Sequence, residues 1–138
     1  MNALRAYFAD RPLPVTIAAV FVLCMTAWNG LRAFVAIMDW DILSRFNGNP
    51  SYILTSGLAW FIAGLALIVG LSNRKKFALH AGLILSIIYI IYYWLDRLAL
   101  QASPASNVTF SVIVSIILFA VFNALLFWPS SRAFFQGD

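Results

Sequence analysis

The chain has 138 residues, 63% of them hydrophobic and only 10% charged, with a net charge of +4 and a mean hydropathy of +0.90. Soluble domains are roughly 25% charged. A water-facing shell cannot be built from so apolar a composition, and a bilayer removes the need for one. The positive charge is not a nucleic-acid signature, because the few basic residues fall at the ends of apolar runs, the pattern that sets orientation in membrane proteins. With one cysteine, Cys24, the chain can form no internal disulfide and no CxxC site. A single histidine, His80, rules out a two-histidine haem site built by this chain alone.

Four apolar segments follow one another, at about 13–38, 52–71, 77–100 and 108–128. Each supplies about the ~20 residues that cross ~30 Å of hydrocarbon at 1.5 Å per residue. The expected architecture is one all-α integral membrane domain over 1–138. Its four transmembrane helices form an antiparallel up-down bundle joined by short connections.

The first span is too long for the roughly 7–15 apolar residues of a signal peptide, so it is read as a span. It should outrun the membrane, since Trp40 and Leu43 continue one face as far as about residue 46, and the extra turns either project into water or bend along the interface. Asn47-Gly48-Asn49-Pro50 then stops it and starts the second span, with Gly and Asn suited to a helix C-cap and Pro to a first turn. Ser72-Asn73-Arg74-Lys75-Lys76 is a short charged turn. Ser103-Pro104-Ala105-Ser106-Asn107 ends the third span and offers Ser106 or Asn107 as N-cap of the fourth. Pro129 closes that last span.

Orientation follows from the basic residues. The termini and the 72–76 turn carry Arg5, Arg11, Arg74, Lys75, Lys76 and Arg132, whereas the other side carries Arg32, Arg45 and Arg97 beside Asp39, Asp41 and Asp96. The positive-inside rule therefore places both termini in the cytoplasm, in what reads as a bacterial inner membrane.

Two patterns carry the functional expectations. Arg32, counted from residue 13, lies ~28 Å along the first span, and Asp96, counted from Phe77, lies ~28 Å along the third, which runs the same way. An intramembrane charge faces a partner or water, and Asp96 is the natural partner for Arg32. Asn29 lies one turn below Arg32, and Tyr89, Tyr92 and Tyr93 share the face of Asp96. These six residues form an expected polar cluster toward the outer edge of the membrane: an ion pair that fixes helix register, side chains that snorkel to water without a partner, or a ligand, substrate or proton site. Arg97 is expected to reach the headgroups instead.

In the second span Ser56, Ala59, Ala63, Ala66 and Gly70 draw a stripe of small residues, with Gly57 and Gly64 beside it. Such stripes let backbones approach where lipid gives no hydrophobic push. The partner is this chain's own bundle, another copy of the chain or a different membrane protein. Asn123, deep in the fourth span, is expected to hydrogen-bond across helices. Ser86, Ser111 and Ser115 read as packing residues.

No phosphate loop, nucleophile–base pair or metal-ligand set is present in the sequence. The favoured reading is therefore a non-enzymatic accessory or scaffolding protein without cofactor. The alternative is a minimal oligomeric carrier or channel that binds a small polar or anionic solute at the Arg32–Asp96 layer. A lipid-interacting protein is a third reading, resting on the basic inner face.

Overall fold

The computed structural model describes residues 11–46, 48–100 and 107–136, with no side-chain account of 99 and 100. All regular structure in them is helical: α1 Leu13–Met38, α2 Trp40–Arg45, α3 Pro50–Ser72, α4 Phe77–Leu95 continued by a π-helical turn Asp96–Leu100, α5 Val108–Leu126 and α6 Pro129–Gln136. Four of these helices are long and apolar enough to cross a membrane. Large apolar side chains such as Leu31, Phe34, Ile62, Ile84 and Ile116 stand exposed on their outer faces. A soluble protein does not display so much apolar surface. The molecule is of the membrane-protein class.

Local chemistry explains the ends. Pro12 opens α1 and its carbonyl accepts from Val15 N–H at 3.0 Å. The first helix does not run unbroken to residue 46. It stops at Met38, turns at Asp39 (φ −106°, ψ 28°) and resumes as α2. Asp39 N–H still donates to Val35 at 2.8 Å and its carbonyl accepts from Leu43 at 2.9 Å, so both backbone groups of the bend residue are matched. Asn49 caps α3, its side chain accepting from Tyr52 N–H at 3.0 Å. Arg74, with φ 53°, is the left-handed residue that turns the chain between α3 and α4. Asn107 is the N-cap of α5 but makes no side-chain cap bond there; Ser106 lies outside the described residues.

The tightest contact joins α1 to α3. At Gly57 a Cβ would stand 2.9 Å from the Asn29 carbonyl oxygen and 3.0 Å from the Ala33 nitrogen. At Gly64 it would land on the Thr26 hydroxyl. That hydroxyl donates to Val22 O of its own helix at 2.7 Å, so it is satisfied without a partner on α3. Gly30 of α1 answers with Phe61 of α3, 2.9 Å from where its own Cβ would be. As numbers fall along α1 from Ala33 to Thr26, they rise along α3 from Gly57 to Gly64. At the far end of the same pair, Arg11 donates to Ser72 O at 2.9 Å.

All four long helices and α6 contribute to one apolar core. It comprises Val15, Ala18 and Val22 of α1, Leu67 and Leu71 of α3, Ala78 and Leu79 of α4, Phe122 and Leu126 of α5, and Phe135 of α6. This core lies at the end of the helices where α1 begins and α3 ends. The short amphipathic α6 seals it: Phe135 is 2% exposed and Ser131 donates to Leu125 O at 2.7 Å. Arg74 lies over the Phe134 ring and Arg132 over Phe127, at 4.5 and 5.5 Å.

Enlarging Gly57 to Leu should destabilise the protein by about 1–3 kcal/mol, because overpacking forces two backbones apart. Ala59→Leu and Ala66→Leu, on exposed positions of the same helix, should leave stability unchanged. Thermal unfolding of the purified chain in detergent measures all three. Equal melting points for the Gly57 variant and the wild type would show that the close approach does not hold the helices.

Candidate functional site

Away from the sealed end, the helices carry their polar side chains. α1 presents Asn29 and Arg32 one turn apart. α4 presents Tyr89, Tyr92 and Tyr93, with Asp96 where α4 passes into the π-helical turn. The Asn29 amide donates to the Tyr89 hydroxyl at 3.4 Å and to Met25 O at 2.8 Å. Arg32 donates to the Tyr92 hydroxyl at 3.1 Å. Both cross-helix contacts join residues 60 apart in sequence, so α1 and α4 rise together in a constant register.

Asp96 sits at the same level. Its Oδ1 accepts from the Tyr52 hydroxyl at 2.7 Å, a charge-assisted bond that ties the start of α3 to the end of α4. The carboxylate also acts on the Arg32 guanidinium through space. The two charges are thus set among phenols, with hydrogen bonds Arg32–Tyr92 on one side and Tyr52–Asp96 on the other. Trp60 of α3 fills the space between, its ring 4.7 Å edge-on from Tyr89 and 5.4 Å from Tyr92. Tyr93 belongs to a neighbouring grouping: its hydroxyl accepts from Arg97 at 3.4 Å and its ring meets Trp94. Arg97 does not simply extend to headgroups, because its other terminal nitrogen bonds Asn107 Oδ1 at the start of α5.

The layer forms one end of a cavity of about 690 Å³ that all four long helices line. Cavities of about 300–1,000 Å³ are the size that holds small-molecule ligands. Arg32, Tyr92 and Asp96 stand at one end of it and Val22, Leu67 and Phe122 at the other. From Val22 to Arg32 the rise along α1 is ~15 Å. Ser111 and Ser115 of α5 line the wall between. Asn123 meets Ser86 across α4 and α5, its amide donating at 3.2 Å, and donates also to Phe119 O at 2.9 Å.

The small-residue stripe divides. Gly70 is buried, its nearest neighbours on α4 being Ala78 and Phe77. Ser56 and Ala63 are half-buried, and Ala63 lines the cavity. Ala59 and Ala66 are exposed. The surface that meets α1 is instead the adjacent one, carried by Gly57 and Gly64.

Two members of the site were not among the expected residues. Tyr52 and Trp60 belong to α3. The available signal was depth: in an up-down arrangement the start of the second span lies level with the end of the third. Cys24 and His80 are exposed. Among the described residues, no three His, Cys, Asp or Glu side chains come together in a way that could hold a metal ion.

The chain matches no protein-family model, and no curated protein and no solved structure matches it. The site therefore has to be understood from its own chemistry.

A double-mutant cycle on Arg32→Ala and Tyr92→Phe should give a coupling of about 0.6–1.7 kcal/mol, the range of interhelical hydrogen bonds in a membrane. The same range is expected for Tyr52→Phe with Asp96→Asn. Reversible unfolding in mixed micelles gives the four stabilities of each cycle. Strictly additive costs in both would show that the layer is a coincidence of depth and not a network.

Proposed function

We propose that this is a small polytopic membrane protein that binds a ligand inside an antiparallel four-helix bundle. The termini face the cytoplasm of a bacterium and the Arg32–Asp96 layer faces the outer side of its inner membrane. The observation that carries the reading is the cavity itself. It is of ligand size, and a guanidinium, a carboxylate, phenols and a buried amide converge on one end of it. Ion pairs that only lock two helices need no such space beside them. Half-buried charges are costly in a membrane and mark solute pathways and binding sites.

Orientation is supported by the basic residues. Arg11, Arg74, Lys75, Lys76 and Arg132 gather at the end sealed by α6. Binding without chemistry is the reading of the lining, which offers no nucleophile beside a base. A carrier or channel is the form this function takes if the ligand passes through, and the sealed apolar core at the cytoplasmic end favours holding over passage.

A second reading, an accessory or scaffolding protein, is supported by one feature. Ala59 and Ala66 turn their small side chains outward on α3, where another membrane helix could pack closely.

Native mass spectrometry of the chain, extracted gently from its own membranes, separates the two. A small molecule that is retained by the wild type and lost from Arg32→Gln is the expected result. Stoichiometric recovery with a larger membrane protein, unaffected by Arg32→Gln and abolished by Ala66→Leu, would replace the binding reading with the scaffold.

A further inference from the structure

We infer that the ligand is a single-tailed amphiphile with an uncharged, hydroxyl-bearing head, and that it enters from the bilayer between α1 and α5. This rests on the binding reading above and adds to it the class of ligand and its route.

The head is specified by the layer. Arg32 and Asp96 both line the chamber, one positive and one negative, so the formal charge of its polar end sums to zero. A charged head would leave one unit of charge uncompensated in a medium where that is expensive. Asn29 adds a requirement of its own. It is 1% exposed and lines the chamber. Its Nδ2 donates to Met25 O and to Tyr89, which settles which way the amide is turned. Its Oδ1 is buried and has no hydrogen-bond partner among the described residues. A buried acceptor left unmatched costs about 1–3 kcal/mol, and only a donor can relieve it. A carboxylate or phosphate diester has no donor to offer. Oδ1 is closed off from the chamber in this structure, so a head reaches it only with a shift of the Asn29 side chain; a hydroxyl, which donates one bond and accepts two, then meets Oδ1 and still accepts from Arg32 or a tyrosine.

The tail is specified by the walls. Beyond Asn29 the chamber runs ~10 Å along α1 toward Val22, Leu67 and Phe122, side chains that offer no hydrogen bond. A water-soluble polar molecule would leave this length unmatched. The route is specified by exposure. Trp28 of α1 and Phe110 and Leu118 of α5 line the chamber and are 58%, 65% and 42% exposed. The route is placed between these helices, at exposed lining residues that lie within candidate membrane spans. Nearer the sealed end the same two helices close, with the Phe21 and Phe122 ring centroids 5.3 Å apart.

The test uses the full chain in lipid nanodiscs, with protein-free nanodiscs as the blank for partition into lipid. The probe is tritiated 1-monolaurin, and the competitors share its tail or its head: unlabelled monolaurin, laurate, dodecylammonium and glycerol. Saturable binding near one monolaurin per chain is expected, displaced by unlabelled monolaurin at concentrations at least about tenfold lower than by either charged analogue, and not displaced by glycerol. Asn29→Leu, which removes the acceptor, and Ala63→Leu, which fills the chamber, should each weaken binding about tenfold or more. Displacement by laurate or dodecylammonium as effective as by monolaurin would overturn the uncharged head. Glycerol competing as well as monolaurin would overturn the tail and the bilayer route while leaving the chamber a ligand site. No saturable binding above the blank would overturn the inference, and the small molecule retained by the wild type in native mass spectrometry would then still stand for the binding reading.

Discussion

The close approach of α1 and α3 is the constraint on which the rest of the molecule depends. Gly57 lets the two backbones touch, against Asn29 and Ala33, and Gly64 makes room for the Thr26 side chain. In lipid there is little hydrophobic gain in bringing apolar helices together, so contact area must come from shape. This pair supplies it along its whole length, from Ala33 beside Gly57 to Arg11 at Ser72. Rotation of α1 is thereby fixed, and with it the direction in which Asn29 and Arg32 point. α4 and α5 make no comparable contact with either helix. They are held at one end by the shared apolar core and α6, and they stand away from α1 at the other, which is how a chamber opens inside so short a chain.

The polar layer closes that open end without apolar packing. Arg32 and Asp96 each have a phenol as hydrogen-bond partner, Tyr92 and Tyr52. A direct ion pair in low dielectric is rigid, and its loss is costly because the remaining charge stands alone. Phenols soften this arrangement, since a hydroxyl can donate to a carboxylate or accept from a guanidinium. The same groups can therefore exchange a bond to one another for a bond to a third molecule with little change in their number. Trp60 holds the tyrosine rings in place from the side of α3. A layer of this kind ties three helices together and still leaves hydrogen-bonding capacity facing the chamber.

How much of this was legible in the sequence depended on which dimension was asked about. Position along a helix axis is nearly free information, because an apolar run fixes where a span begins and each residue then adds the same rise. That is why the spans could be bounded to within a few residues, and why Arg32, Tyr92 and Asp96 could be set at one depth. Rotation about the axis was not legible for the second span. Its Ala and Gly residues occupy two adjacent faces, and both satisfy a small-residue pattern. Only the three-dimensional fit shows that Gly57 and Gly64 meet α1 while Ala59 and Ala66 turn outward. Without that rotation Trp60 and Tyr52 had no direction, and both were missed at the site. A bend past Met38 was one of two readings and its place was not legible: the apolar face continues through Trp40 and Leu43, and nothing at the level of composition marks a one-residue turn at Asp39 whose own N–H and carbonyl keep partners.

The two ends of the molecule are built on opposite principles, and the contrast bears on function. Where α1 begins, the interior is filled by Leu71, Leu126 and Phe135, which are 0–2% exposed, and the basic residues stand outside it. Where Arg32 lies, the interior is lined and not filled, and one buried acceptor, Asn29 Oδ1, is unmatched among the described residues. Protein interiors pack as densely as organic crystals when nothing prevents it, and the sealed end shows that this sequence can do so. Larger side chains at Ala63, Ser86, Ser111 and Ser115 would have filled the other end as well. Small and polar residues at those positions, beside a layer whose charges balance, are what the proposed binding of another molecule requires.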